Sequence, residues 1–319
     1  MTTSATAPLD HFAVQLQGSA TLPHLGVIQA QGEDAANFLH NQLSNDVLLL
    51  PVGQSRLAAF CSAKGRMQAS FVVIKPAPDT VLLVMSLDLL AQTLKRLSMF
   101  VLRAKVKMSD ATGQWQLRGL LGDSARAVLA EASPWQTASA DGAHAVALYP
   151  AVLGDNSVPR VLWLGAPTQA LPAGAELSTD VWAWAEVMSG VTLVTQPLFE
   201  AFVPQMLNYE SVGGVNFKKG CYPGQEVVAR SQFRGTLKRR TARVFSPVAL
   251  SAGQDVFTPT DSEQPCATVV LSAARPDGQG SDALVSGTLE SQQAGWHAGS
   301  AQGEALALLQ LPYALLEDI

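Results

Sequence analysis

The sequence predicts an α+β protein whose chain ends in a small all-β domain, and three observations carry that prediction. The first two hundred residues or so alternate short apolar strands with amphipathic helices. A long irregular stretch follows, from Val191 to Gly220. After Arg240 only short strands separated by turn residues remain, the pattern of a small barrel. The chain therefore divides into an α+β region over residues 1–240, itself split near 110–175, and a β-barrel over 241–319. At 319 residues it exceeds what one ordinary core supports, so more than one domain is expected.

The elements follow in order. Leu25 to Gln31 reads as a strand, and Gly32 opens a helix with Ala36, Phe38, Leu39 and Leu43 on one face. Arg56 to Cys61 and Met67 to Lys75 read as strands joined by a turn at Ala63-Lys64-Gly65-Arg66. Thr80 to Ser86 is a third strand, running into an amphipathic helix from Leu87 to about Leu102. Strand and helix alternate again through Gln116 to Ala132, and two more strands lie near Ala145–Leu153 and Arg160–Leu164. The Pro/Gly-rich run from Gly165 to Gly174 reads as a linker. Ser178 or Thr179 caps a helix carrying Trp182, Trp184 and Met188 that stops at Gly190. The barrel strands are expected at Thr241–Phe245, Ala267–Ser272, Leu284–Leu289 and Ala305–Leu311.

Composition narrows the class. Apolar residues make up 48% of the chain and charged residues 15%, enough for a packed interior. The most apolar run, Val81 to Leu90, contains Asp88 and is about half the length of a spanning helix. Met1 to Asp10 lacks the basic start and apolar run of a secretory signal. Three widely spaced cysteines, Cys61, Cys221 and Cys266, make no disulfide framework, so a reducing cytoplasm is the expected location. The net charge of −5 is uneven: Lys218 to Arg243 holds eight cations against Glu226, a net +7 that leaves −12 elsewhere. Such an island fits an anionic ligand (a polyglutamate tail, phosphate or RNA) or a basic strand edge that resists aggregation.

The segment that carries chemistry is Lys218-Lys219-Gly220-Cys221-Tyr222-Pro223-Gly224-Gln225-Glu226-Val227-Val228-Ala229-Arg230. Pro223 fits the first position of a helix, with Glu226 in the first turn. Cys221 would then lie just before the helix, where lysines and the dipole favour a thiolate, nucleophilic or metal-ready. Gly220 and Gly224 allow close approach of the backbone to a ligand. An inert packing cysteine is the alternative.

These residues resemble the signature of the YgfZ family, relatives of the glycine cleavage T-protein (aminomethyltransferase, GcvT). The resemblance continues through Phe233-Arg234-Gly235, Lys238-Arg239, Pro204-Gln205, Asn208 and Gly213-Gly214-Val215. It extends to Gly32-Glu33-Asp34-Ala35, Gln42-Leu43-Ser44-Asn45-Asp46-Val47, Lys64-Gly65-Arg66-Met67 and Leu311-Pro312-Tyr313, nearly the whole chain. It implies two α+β parts around a central folate-binding hole, closed by the β-barrel. It further implies a tetrahydrofolate-binding accessory protein for iron–sulfur enzymes or their assembly factors, including enzymes that thiolate tRNA. The reactive residue is then Cys221, within a motif of Lys219, Gly220, Tyr222, Gly224, Gln225, Glu226 and Arg230.

The resemblance also nominates folate contacts: Trp182 by stacking, Gln205 and Asn208 by their amides, Lys64 and Arg66 toward the folate glutamate. Each has a plainer reading: Trp182 packing a helix, the two amides tying down the loop, Lys64 and Arg66 at a solvated hairpin tip. The plainer reading of Arg230 is a helical pair with Glu226, and Asp46 is a turn former or a pocket acid, the turn being the preferred reading. A second family tryptophan has no counterpart, Pro23-His24-Leu25 standing in that region. The five histidines show no metal-ligand spacing, and no phosphate-binding fingerprint is present. A T-protein-type one-carbon transferase is the alternative function, opposed by Gln92 where its aspartate aligns and by Met188 in place of a glutamate. An RNA-binding module is a third, opposed by the scarcity of aromatics in the basic island.

Overall fold

The computed structural model describes residues 9–234 and 237–316. Gly235, and the first eight residues of the N-terminal stretch read for a signal, lie outside the described residues.

The architecture is α+β, with two antiparallel-rich sheets and a closed six-stranded barrel. The first sheet has five strands, ordered Ser55–Cys61, Met67–Ala77, Thr80–Ser86, Leu25–Gln31 and Lys107–Asp110. Its central strands are continuous apolar runs because both faces are covered, and Met67 to Ile74 is buried throughout. The second sheet has six, ordered Glu176–Leu177, Gly18–Thr21, Gln116–Leu121, Asn156–Gly165, Ala143–Leu153 and Thr137–Ala140. The barrel is ordered Arg239–Ser246, Ser281–Thr288, Ala267–Ala274, Asp255–Phe257, Trp296–Ala298 and Ala305–Leu309. The short strands at 18–21, 107–110, 137–140, 255–257 and 296–298 had no sequence prediction, since three or four residues are too few to show a period.

Six helices accompany the sheets among the described residues: α1 (Ala35–His40), α2 (Leu87–Met99), α3 (Asp123–Val128), α4 (Thr179–Ser189), α5 (Gln225–Phe233) and α6 (Leu289–Ala294). Ser178 caps α4, its side chain accepting from the Val181 N–H, and Gly190 ends it at φ +72°, as its sequence signals indicate. Trp184 of α4 donates its indole N–H to Asp282 of the barrel (2.7 Å), locking this helix to the third layer.

One boundary differs from prediction in a way that matters. Helix α5 starts at Gln225, not at Pro223, and Gly224 precedes it at φ +80°. The left-handed residue is required because the backbone there runs against the hairpin tip at residues 62–65. Cys221 is therefore four positions ahead of the helix, beyond most of the reach of its dipole.

No helix among the described residues is long and apolar enough to cross a membrane.

Candidate functional site

The irregular stretch from Val191 to Gly220 connects all three layers, and the Cys221 segment hangs from its end. Three regions distant in sequence hold it. Ser44 and Asn45 supply the first brace: Ser44 Oγ donates to the Gly214 carbonyl (2.7 Å) and Asn45 Nδ2 to those of Gly213 (2.7 Å) and Leu57 (2.8 Å). The end of α1 is the second, because Lys219 Nζ donates to the carbonyls of His40 (2.6 Å) and Leu43 (3.0 Å). The third is the hairpin tip. A Cβ on Gly224 would lie 2.6 Å from Gly65 Cα and 2.4 Å from the Ser62 carbonyl oxygen, so both glycines are needed for the contact. The three motifs singled out in the sequence thus meet at one place.

Lys219 is buried, while Cys221 is exposed. Burial pulls the Lys219 ammonium down to about 8, against the attraction of Asp46 and Cys221, and its Nζ lies 4.6 Å over the Tyr222 ring. Burial works to raise Asp46, but the Leu49 N–H, His40 and Arg56 overcome it and hold the carboxyl below the usual carboxylate range. His40 Nδ1 is 3.1 Å from Asp46 Oδ1. Asp46 is thus more than a turn former: it gathers charge beside the Cys221 segment.

Next to this cluster lies a cavity of about 430 Å³. It is lined by Asn45 and Arg56 from the first sheet region, by Trp135 from the second, by the loop from Glu210 to Lys218, and by Leu316 of the C-terminal tail. Trp135 ties these parts together. Its N–H donates to the Ala147 carbonyl (2.7 Å), its carbonyl accepts from Ser55 Oγ (2.6 Å), and its indole N–H donates to the Val212 carbonyl (2.8 Å). These bonds hold it at φ +72°, a conformation rarely adopted by bulky residues. Glu210 is buried; one oxygen pairs with Arg240, and the other, Oε2, has no partner among the described residues. Arg240 in turn donates to the Leu316 carbonyl (2.8 Å), fastening the tail over the cavity.

A profile of the GCVT N-terminal domain matches residues 14–151. The tRNA-modifying protein YgfZ of Vibrio vulnificus is 30% identical over 247 residues, covering 74% of this chain and 72% of that one. The chain belongs to the YgfZ family.

Another member of that name, from Klebsiella pneumoniae, is 29% identical over 279 residues, 81% of this chain and 82% of its own. An uncharacterized protein of Haemophilus influenzae is 27% identical over 220 residues, 69% of this chain and 70% of that one. The glycine cleavage system aminomethyltransferase T of Bartonella henselae is similar in fold, with a TM-score of 0.70 over 97% of this chain and 90% of that one at 14% identity.

Within this YgfZ fold, the residues nominated as folate contacts do not line that cavity. Trp182 is buried in the second core, with the Arg160 guanidinium 4.5 Å above its ring and the bare backbone of Gly119 against it. Its ring is used for packing, not for lining the cavity. Gln205 donates to the Val228 carbonyl (2.7 Å) and fastens the loop to α5. Asn208, at φ +59°, donates to the Thr241 carbonyl (2.9 Å) and the Tyr313 hydroxyl (3.3 Å), fastening it to the barrel and tail. The Asn208 amide is spent on the fold, whereas Gln205 spends its donor and keeps a buried Oε1 without a partner among the described residues. Arg66 donates to the Ala201 carbonyl (2.6 Å), and Lys64 is exposed at the hairpin tip. Glu226 and Arg230 form an exposed pair one turn apart on α5, worth a few tenths of a kcal/mol. Gln225 opens α5 and donates its N–H to the Tyr222 carbonyl (3.1 Å).

The cations of the basic island separate. Arg240 and Arg243 are buried, whereas Arg230, Arg234, Lys238 and Arg239 line a groove of about 410 Å³ beside α5, floored by Val203, Met206 and Val227. Asp88, the acid nearest the T-protein position, accepts from Ser86 Oγ (2.7 Å) and the Gln196 N–H (2.9 Å) at the start of α2. The residues that sequence reasoning passed over are Trp135, Arg56, Glu210 and His40. None stands in a periodic pattern or a spaced pair; only their meeting in space distinguishes them.

Proposed function

We propose that this chain is a tetrahydrofolate-binding accessory protein that supports iron–sulfur enzymes, those acting on tRNA among them, through Cys221. The observation that carries the reading is the cavity where three layers and the tail converge, opening beside the loop that ends in an exposed cysteine. The residues present fit a folate. A buried carboxylate oxygen without a partner among the described residues, Glu210 Oε2, suits the amino and ring N–H donors of a pterin. Trp135 offers an aromatic face, and Arg56 and Lys218 offer charge to carboxylates at the rim. Tetrahydrofolate, when bound, supplies nitrogens able to carry a one-carbon unit. The fold likeness to aminomethyltransferase T and the name borne by the relatives agree with this reading. Cells carrying Cys221→Ala are expected to keep normal levels of folded protein and to lose thiolated tRNA. Unchanged thiolation in that variant would remove the thiol from the mechanism.

A T-protein-type transferase is a weaker reading, because Asp88 is committed to the α2 start and Gln92 donates to Gln196 (3.1 Å). Release of ammonia from an aminomethyl donor in the presence of tetrahydrofolate would restore it.

Direct RNA contact is the third reading, supported by the groove of Arg230, Arg234, Lys238 and Arg239. It predicts tRNA binding that weakens steeply with salt and weakens further in Arg234→Ala/Lys238→Ala.

A further inference from the structure

We propose that His40 is the proton acceptor for the Cys221 thiol, oriented by Asp46, and that the three residues form a site for thiol–disulfide exchange. The proposal deepens the reading of Cys221 as a reactive thiol and rests on it.

Three observations place the histidine. His40 ends α1, and its Nδ1 meets Asp46 Oδ1 at 3.1 Å. A carboxylate in that position accepts a hydrogen bond from Nδ1–H, which leaves the Nε2 lone pair free to accept a proton. Nε2 faces the cysteine segment: a Cβ on Gly220 would lie 3.4 Å from it, and among the described residues other than Gly220 and its two chain neighbours no further heavy atom lies within 4 Å of that point. Gly220 carries no side chain to cover Nε2, and the next residue is the exposed Cys221. The two segments are also pinned together, because Lys219 Nζ donates to the backbone carbonyl of His40 itself (2.6 Å). The end of α1 and the Cys221 loop are therefore tied directly to each other.

The charges facing the pair agree with this role. Asp46 is held ionised beside the imidazole; Arg56 acts on Asp46 from the cavity side, and Lys219 is the cation on the loop. A thiolate formed at Cys221 is attracted by both the imidazolium and Lys219. This arrangement takes over the part first assigned to the α5 dipole, which the left-handed Gly224 moves away from the sulfur.

The disulfide attacked is itself the oxidant, and no other is needed. The Sγ–H bond breaks and the proton goes to Nε2. The thiolate attacks one sulfur of a disulfide, forming an Sγ–S bond as the S–S bond breaks. The departing thiolate takes the proton from His40 and leaves as a thiol, returning the imidazole to its neutral form.

The test is the rate of Cys221 modification by dithiodipyridine across pH, read on the Cys221 peptide by mass spectrometry. The comparison is made at about pH 6, where few ordinary thiols are ionised. His40→Gln, which keeps the size of the side chain and can still donate to Asp46, should lose about ten-fold or more there and match wild type near pH 10. Asp46→Asn should fall between the two. Gly220→Ala, whose methyl rests on Nε2, should slow the low-pH reaction in a folded protein. Superimposable pH profiles for wild type, His40→Gln and Gly220→Ala would overturn the proposal, since a merely structural histidine would leave the profile in place. The cellular assay of Cys221→Ala is independent: a shifted profile with normal tRNA thiolation would keep this site and discard the function proposed for it.

Discussion

Gly65 and Gly224, 159 positions apart, press backbone against backbone, so that a Cβ on Gly224 would lie 2.6 Å from Gly65 Cα. Both adopt positive φ, +72° and +80°. This contact is what brings the hairpin tip at Lys64–Arg66 to the cysteine loop. Gly224→Ala adds both a backbone clash and a left-handed alanine, so about 1–3 kcal/mol of stability should be lost. Cys221 should become more mobile at the same time. Urea denaturation together with hydrogen exchange at residues 219–224 checks both; an unchanged midpoint would show that the tip and the loop are not packed as described.

Glu210 and Arg240 form a buried ion pair that also fastens the tail through Leu316. Removing one partner leaves the other charge uncompensated, so Glu210→Ala should cost about 3–5 kcal/mol. Replacing both by apolar residues should cost much less. A double-mutant comparison by chemical denaturation reads this directly.

Lys219 titrates far from an ordinary lysine, with burial lowering it from 10.5 to about 8. A cation whose pKa falls on folding opposes folding fully below about 8, and that opposition fades as pH rises toward 10.5. Asp46 acts to raise the value, so Asp46→Asn should move the Lys219 midpoint below that of wild type. The side-chain resonances of Lys219, followed by NMR across pH, give both midpoints. A wild-type midpoint near 10.5 would contradict the buried placement.

The cysteines should differ sharply in reactivity. Burial pushes the Cys61 thiol up to about 12 inside its strand, whereas Cys221 is exposed. Brief treatment of the native protein with iodoacetamide at neutral pH should label Cys221 and spare Cys61, and peptide mass mapping distinguishes them. Equal labelling would mean that the first sheet opens readily.

Much of this was legible in the chain itself. Leu25–Gln31 and Thr80–Ser86 have the bounds that their apolar runs indicate, and the stop of α4 at Gly190 follows from glycine alone. The motif around Cys221 was visible because its residues are contiguous. The cavity was not, because Arg56, Trp135 and Glu210 come from three layers and have no shared period. Trp182 was the more obvious aromatic, being central in an apolar helix, and that centrality is why it is buried. His40 was passed over because a search for metal spacing asks for a second ligand in sequence, whereas its partners are Asp46 and a loop some 180 residues away.

The most direct test of the central claim is a titration with tetrahydrofolate followed by tryptophan fluorescence in wild type, Trp135→Phe and Trp182→Phe. If folate occupies the cavity between the three layers, wild type and Trp182→Phe should show the same saturable quenching, and Trp135→Phe should lose most of it. Quenching that survives in Trp135→Phe and vanishes in Trp182→Phe, or no saturable binding in any of the three, would contradict the account.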